Sequence, residues 1–393
     1  MSRKKVCIIT GSRAEWGLFY PLCREIEVKG NLDLQIIVTG GHLSDRFGMT
    51  SREIESDGFG IDSKIPLPFA EDTTESVMNS ISEGLKGFAK ELGRLRPDIV
   101  FVLGDRFEIF AAAQACLFAR IPIAHIHGGE LTEGSLDNSM RHAITKFAHL
   151  HFVSAEDYGK RVIQMGEHPD TVFHVGALGL DNVMNTKLLE REQFENETGL
   201  SLGEKNILVT FHPPTAESKE DALEQARNLI CGLDQIGGAN IIFTLPNPDI
   251  YSGAITSLIE DYVAANPAKS RAVRHLGRVR YLSALQFMDM VCGNSSSGII
   301  EVPSFGIPTI NVGSREKGRI KAGSVIDADG STASLSEAFR KAFSPDFRQF
   351  CRNVNNPYGD GKAAERIVRV IEKTEVKNIS KGFFDIGHKY GSF

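Results

Sequence analysis

Residues 99–130 read IVFVLGDRFEIFAAAQACLFARIPIAHIHGGE, and the fold is decided there. Ile99–Leu103 is an unbroken apolar run, which suits a strand covered on both faces. Gly104-Asp105 turns the chain, an alanine-rich helix follows, and Ile121–His125 returns as a second apolar strand. Strand, helix and strand in that order form a βαβ unit, whose strands lie parallel in one sheet. The rhythm continues outward in both directions. Further candidate strands are Val6–Thr10, Leu34–Thr39, His151–Val153, Val172–Val175, Ile207–Thr210, Ile241–Leu245, Ala272–His275, Met290–Cys292 and Thr309–Val312. Helical patterns such as Leu18–Glu27, Ser76–Leu95, Ala222–Leu233 and Ala363–Lys373 lie between or after them.

At roughly 150 residues per domain, 393 residues predict two to three domains. The alternation pauses over Val175–Asn185 and again over the acid-rich stretch Leu188–Glu204. A junction near Gly176–Asp181 divides the chain into an N-terminal domain, 1–176, and a C-terminal domain, 177–362. The expected architecture is α/β: two Rossmann-like, doubly wound parallel-sheet domains facing a central cleft. Open sheets of this kind bind ligands beyond the carboxyl ends of their strands, so function should sit in the loops leaving them.

Composition narrows the function. Fifty acidic against 44 basic residues leave a net charge of −6, which speaks against nucleic acid as a partner but permits one small basic cleft. The cysteines (Cys7, Cys23, Cys116, Cys231, Cys292, Cys351) are scattered without zinc spacing and read as reduced thiols. VCIIT, after MSRKK, is too short for a signal h-region. Gln114, Arg120 and Pro122 interrupt the longest apolar stretch, so no membrane span is expected and the protein reads as cytoplasmic.

Six loops carry the chemistry. Gly11-Ser12-Arg13-Ala14-Glu15 opens a helix, where free amides favour an anion and Arg13 can fork onto a phosphate or carboxylate; it is also an ordinary βα turn. Asp105, with Arg106 beside it, either caps the next helix or works as a carboxylate at the cleft. His125-Ile126-His127-Gly128-Gly129-Glu130 continues through Asp137 to Arg141-His142, and strand alternation puts His125 and His127 on one face. Two histidines and a carboxylate so spaced lack metal-site character, so no metal is expected. Crowded ionisable groups suit acid–base work instead, although His142 and His149 also read as packed helix histidines. In the second half, His212 follows a strand and can reach a phosphate or protonate a leaving group. Gly293-Asn294-Ser295-Ser296-Ser297-Gly298 leaves a strand into a helix and suits a diphosphate, with Glu301 one turn on for a ribose. Gly313-Ser314-Arg315, Lys317 and Arg319 add positive charge. GxGxxG and the Walker lysine motif are both missing, which argues against a dinucleotide and against NTP hydrolysis.

Taken in order, GSRAEWG, LGDRFEIF, HIHGGE…DNSMRHAITK, FHP, LPN, GNSSSGIIEVPSFGIPTINVGSREKGR and the FFDI tail run from Gly11 to Phe384. Together they resemble the hydrolysing UDP-N-acetylglucosamine 2-epimerases of bacterial sialic-acid synthesis. The resemblance implies a GT-B-like fold, with the nucleotide in the C-terminal domain and residues 363–393 returning to the first. It also implies no dissociable cofactor, a UDP-sugar partner and a homodimer or homotetramer. Carried over by motif, Arg13 and Arg106 contact substrate, His212 binds or protonates the departing phosphate, and Ser295, Ser296 and Ser297 hold phosphate oxygens. Glu301 takes the ribose, while Asn247, the backbone at Leu276 and Gly277, and Arg319 complete the site. Asp105 and Asp137 match catalytic carboxylates, and Glu130 matches the glutamate after Gly-Gly. His127 stands where other members carry a glutamate.

The implied reaction turns UDP-N-acetylglucosamine and water into N-acetylmannosamine and UDP. The C2 hydrogen of such a sugar is not acidic until C1–O cleavage makes C1 oxocarbenium-like. UDP leaves, C2 loses its proton to give a 2-acetamidoglucal, water adds at C1, and a proton returns to C2 from the opposite face. An acid and a base on opposite faces are needed. Asp105 and Asp137 are expected to share those roles, with His127 or Glu130 handling water. The expectation requires Asp105 and the serine loop to act on one substrate. Competing readings are the same reaction on a UDP-2,4-diacetamido-2,4,6-trideoxy sugar of the legionaminic-acid route, a non-hydrolysing epimerase, a glycosyltransferase, and a nucleotide-sugar sensor.

Overall fold

The computed structural model describes residues 3–45, 48–68, 73–131, 136–214, 218–246, 251–274, 276–376 and 379–387. Their strands pair only in parallel and make two sheets, one in each of two compact units. The chain is an α/β protein of two doubly wound sheets, as the βαβ rhythm predicts.

The first unit takes residues up to Glu130, then Leu136–Asn182, then the stretch from Tyr358 onward. Its strands are β1 (Lys4–Thr10), β2 (Leu32–Thr39), β3 (Ser63–Ile65), β4 (Ile99–Leu103), β5 (Ile123–Ile126), β6 (Leu150–Val153) and β7 (Val172–His174). They lie in the order β3-β2-β1-β4-β5-β6-β7. The order reverses between β1 and β4, where Val6 lies beside Ile99 and Ile8 beside Phe101. The loops leaving these two strands are therefore neighbours at the switch point. All five residues of β4 are buried. The helix Phe107–Ala119 comes close because it is alanine-rich on its packed side, and Gly84 of the helix Thr74–Leu95 lies against Ala111.

The expected strand at Ile121 begins at Ile123 instead, beyond Pro122, which has no N–H for the ladder. β3 was not expected. At three residues it is too short to show alternation.

The helix Ala363–Lys373, where expected, lays Ile367, Val368 and Ile371 into the core beside Phe19, Leu22 and Ile26. Asp181 accepts from the backbone N–H groups of Ala363 and Ala364 at 3.0 and 2.8 Å, capping that helix from afar. Asn182 donates to the Gly17 carbonyl at 2.7 Å. Ala177 donates to the Tyr358 carbonyl at 2.8 Å, and the Tyr158 and Tyr358 hydroxyls meet at 3.0 Å. These ties move the changeovers to Asn182 and Tyr358, compared with the expected Gly176 and Ala363. Beyond the helix, the tail docks on the same unit. Phe384 N–H donates to the Gly166 carbonyl at 2.9 Å, and Lys381 reaches Glu167 at 2.6 Å.

The second unit takes Val183–Pro357 together with the short stretch Leu131–Ser135. Its strands are β8 (Lys205–Thr210), β9 (Ala239–Thr244), β10 (Ser270–Val273), β11 (Met290–Gly293), β12 (Thr309–Val312) and β13 (Val325–Ala328), in the order β10-β9-β8-β11-β12-β13. The reversal falls between β8 and β11, the counterparts of β1 and β4. β13, whose Asp327 faces outward, was not expected. The acid-rich pause contains the helix Arg191–Thr198, closed by a reciprocal Glu190/Gln193 cap. No helix among the described residues is long and apolar enough to cross a membrane.

Candidate active site

In the first unit the groups gather where β4 and β5 end. Asp105 follows Gly104, whose positive φ of 75° turns the chain. The helix Phe107–Ala119 has Arg106 at its cap position, and Asp105 makes an ion pair with Arg141. Arg141 is 4% exposed; it donates to the His127 carbonyl at 3.1 Å and lies 3.7 Å from Glu130. Its partners make it the centre of the cluster, a role not assigned from sequence. The available signal was its spacing from Asp137, since i and i+4 share a helix face.

His127 lies beyond the last residue of β5 with φ of +63°. Strand alternation ends before it, so the expectation that His125 and His127 share a strand face does not hold. The two rings do different things. His125 is enclosed, with Nε2 at 2.9 Å from the Gly104 carbonyl and Nδ1 at 3.1 Å from Thr145 Oγ1. Burial pushes its pKa down to about 3, so it is a neutral brace for the Gly104–Asp105 turn. His127 Nδ1 meets Glu130 Oε1 at 2.7 Å, and Ser154 Oγ donates to the same oxygen at 2.7 Å. With Nδ1 held against the Glu130 carboxylate, Nδ1 is the donor of that bond and Nε2 is the ring nitrogen left facing away from it. His127 Nε2 is buried and has no hydrogen-bond partner among the described residues. Asp137 is exposed on the first turn of the helix Leu136–Phe147 and acts electrostatically on Arg106. His142 is half-buried, and burial with Arg141 nearby lowers its pKa.

The loop after β1 departs from expectation. The Gly11 amide is taken by the Glu15 carboxyl at 2.7 Å, and the Glu15 amide by Ser12 Oγ at 3.3 Å. Helix-start donors expected to favour an anion are thus engaged internally. Arg13 is a third exposed and lies 3.9 Å from Glu53.

In the second unit, Asn294 grips the loop after β8 with both ends of its amide. Its Oδ1 accepts from His212 N–H at 2.7 Å and its Nδ2 donates to the His212 carbonyl at 2.8 Å. The preceding Gly293 has φ of 135°, and a Cβ there would lie 1.9 Å from the Thr210 carbonyl oxygen. Only glycine permits β8 and β11 to deliver their loops so close together. Burial, then the charge of Arg315, lowers the His212 pKa to about 4. Arg315 donates to the Asn294 carbonyl at 2.8 Å, and both Arg315 and Arg319 bind Glu316.

The serine run does not open a long helix. Ser297–Ile300 is one turn, and a 3₁₀ turn, Val302–Phe305, follows. A full helix dipole is therefore lacking, and the nearest positive side chain the contacts show is Arg315, on the Asn294 carbonyl. Ser295 and Ser296 are half-buried, whereas Ser297 Oγ already accepts from Tyr281 at 2.8 Å. Glu301 ends the single turn, half-buried, and its charge acts on Tyr281. Leu276 caps the helix Gly277–Leu285 and its carbonyl accepts from Arg280 at 2.8 Å, while Gly277 has φ of 72°. Asn247 lies outside the described residues. Among those described, no group of three His, Cys, Asp or Glu side chains is arranged to hold a metal ion.

Two Rossmann-like sheets, each with polar and charged loops at its switch point, define an α/β protein of GT-B-like architecture. The chain belongs to the UDP-N-acetylglucosamine 2-epimerase family, whose model matches residues 24–372. It is 39% identical to a hydrolysing GDP/UDP-N,N'-diacetylbacillosamine 2-epimerase of Campylobacter jejuni, over 98% of this chain and 100% of that one. A hydrolysing UDP-N,N'-diacetylbacillosamine 2-epimerase of Legionella pneumophila is 35% identical over 94% of this chain and 96% of its own. The polysialic acid biosynthesis protein P7 of Escherichia coli is 34% identical over 98% of both chains. In fold, the UDP-GlcNAc 2-epimerase of Methanocaldococcus jannaschii, solved with UDP-GlcNAc and UDP, superposes with a TM-score of 0.75 at 22% identity, covering 93% of this chain and 99% of that one.

Proposed function

We propose that the protein is a hydrolysing 2-epimerase of UDP-2,4-diacetamido-2,4,6-trideoxy-glucose, releasing UDP and the free 2,4-diacetamido-2,4,6-trideoxy-mannose. The observation that carries this reading is likeness along nearly the whole chain to the Campylobacter jejuni and Legionella pneumophila relatives. It takes the place of UDP-N-acetylglucosamine and sialic-acid synthesis as the leading reading. The Escherichia coli P7 relative keeps that alternative in play.

In this reading the second unit takes the nucleotide and the first does the sugar chemistry. His212, Arg315, Ser295 and Ser296 receive the diphosphate, and Glu301 the ribose. A diphosphate beside His212 favours its protonated form, opposing the burial that keeps it neutral. The leaving UDP takes the C1–O electron pair while Asp105 or Asp137 removes the C2 proton, leaving a C1–C2 double bond. His127, oriented by Glu130, draws a proton from the water that adds at C1, and a proton delivered to the other face of C2 completes the inversion. The buried His127 Nε2, without a hydrogen-bond partner among the described residues, supports the water role.

The test is turnover of each UDP-sugar in D₂O, with UDP release and the hexosamine followed by NMR. Free UDP, one deuteron at C2 and a kcat/KM at least tenfold higher for the diacetamido sugar are expected. A preference for UDP-N-acetylglucosamine would overturn the substrate, and a UDP-linked product without free UDP would overturn hydrolysis.

A further inference from the structure

At the switch point of the first unit, two enclosed carboxyl groups share a single guanidinium that is itself half exposed, the Arg106 side chain keeping 52% of its surface accessible. Glu15 is 5% exposed and Glu108 1%. Arg106 Nε donates to Glu108 Oε1 at 2.6 Å and lies 3.9 Å from Glu15. The fit leaves no slack. A Cβ on Gly11 would come 2.6 Å from Glu108 Cγ, and one on Gly40 would come 3.3 Å from Glu108 Oε1. Glu15 Oε1 and Glu108 Oε2 are buried without hydrogen-bond partners among the described residues. Two enclosed negative charges cannot be balanced by one arginine, and an uncompensated buried charge is strongly unfavourable. One proton has to stay with the pair.

We infer that Glu15 and Glu108 are positioning residues for Arg106: Glu108 anchors its guanidinium, and Glu15 stays protonated so that the anchor is not contested. The inference rests on the proposed reaction together with the motif-based expectation that Arg106 contacts substrate. It also accounts for a loop of phosphate-binding type that spends its amide on a carboxyl group. The electrostatics agree, because burial, then the neighbouring Glu108, raises the Glu15 pKa to about 8. Arg106 and the Gly11 amide pull the other way, and Asp105 adds to the rise. Asp137 acts on Arg106 from the helix Leu136–Phe147, and His42, whose backbone N–H donates to the Gly11 carbonyl at 3.4 Å, carries a neutral ring, its pKa lowered to about 4 by burial.

Above pH 8 Glu15 ionises and competes for Arg106. The experiment is the pH dependence of KM and kcat for the UDP-sugar that the wild type turns over, between pH 6 and 9.5, in wild type and Glu15→Gln. KM is expected to rise several-fold above pH 8 in wild type and to stay flat in Glu15→Gln, the isostere of the protonated acid. Glu108→Gln is expected to raise KM about tenfold at every pH, as loss of a charge-assisted hydrogen bond would. An alkaline limb that persists in Glu15→Gln overturns the inference. Should that variant not fold, Arg106→Gln serves instead, because a limb acting through Arg106 must vanish with it and its survival overturns the proposal. Wild type that releases no UDP refutes the proposed reaction instead, so the two failures are distinguishable.

Discussion

Arg141→Met tests the first unit most directly. Methionine keeps the stem's packing while removing the partner of Asp105 and the donor to the His127 carbonyl. Deleting one member of a buried ion pair costs about 3–5 kcal/mol. The Asp105 side chain is 18% exposed, so water softens the loss and about 3 kcal/mol is expected. Asp105→Asn should cost only about 1 kcal/mol, because Arg141 keeps Glu130 at 3.7 Å and the carbonyl at 3.1 Å. In the double variant Asp105 is no longer stranded, and Glu130, which also loses Arg141, keeps His127 and Ser154, so the cost should be about 2 kcal/mol in place of the additive 4, a coupling of about 2. The assay is urea unfolding followed by tryptophan fluorescence. Trp16, the chain's single tryptophan, is buried in the first unit and donates to Asp57 at 2.8 Å, so it reports that unit alone. A loss below about 1 kcal/mol for Arg141→Met, or an additive cycle, would refute the argument.

Asn294→Ala strands the amide and carbonyl of His212, and kcat/KM should fall by about 10² or more, with Asn294→Asp intermediate because it keeps the acceptor. Glu130→Gln removes the anion that orients His127, so single-turnover release of the hexosamine should slow by about 10² to 10⁴. Although burial opposes it, hydrogen bonds from His151, Lys146 and Lys381 hold the Glu167 carboxyl down to about 2, below its ordinary value of 4.5. Its stabilisation is therefore complete above pH 4.5 and lost as pH falls toward 2, so the melting-temperature gap between wild type and Glu167→Gln should shrink between pH 5 and 3. With His212 neutral down to about pH 4, UDP binding near pH 6 should take up a proton, measurable by calorimetry in buffers of different ionisation enthalpy; a buffer-independent heat would count against phosphate at His212.

Much of the fold is readable from apolar runs, because a parallel strand covered on both faces leaves an unmistakable trace, as Ile99–Leu103 does. The edge strands β3 and β13 escape because they are short and partly solvated. The site is legible as residue types but not as partnerships. Asp105, Glu130 and His212 stand at strand ends and can be picked out there. Their controlling neighbours Arg141, Ser154 and Asn294 are settled by contacts across the sheet that no local spacing encodes. His127 misleads for a different reason, since period-two reasoning fails once φ turns positive. The loop after β1 looks open to anions only until the Glu15 carboxyl folds back onto Gly11.

Asp181 and the helix it caps have a consequence for synthesis. The second unit is drawn almost wholly from one stretch, Val183–Pro357, and is complete once residue 357 has emerged, whereas the first still lacks the Ile367, Val368 and Ile371 wedge and the Lys381 tie to Glu167. On the ribosome the later-made unit is thus able to close first, while an apolar groove beside Phe19 and Leu22 waits for its own helix. Interruption of translation between residues 357 and 363 should leave a nascent chain with one finished lobe and one that invites chaperones.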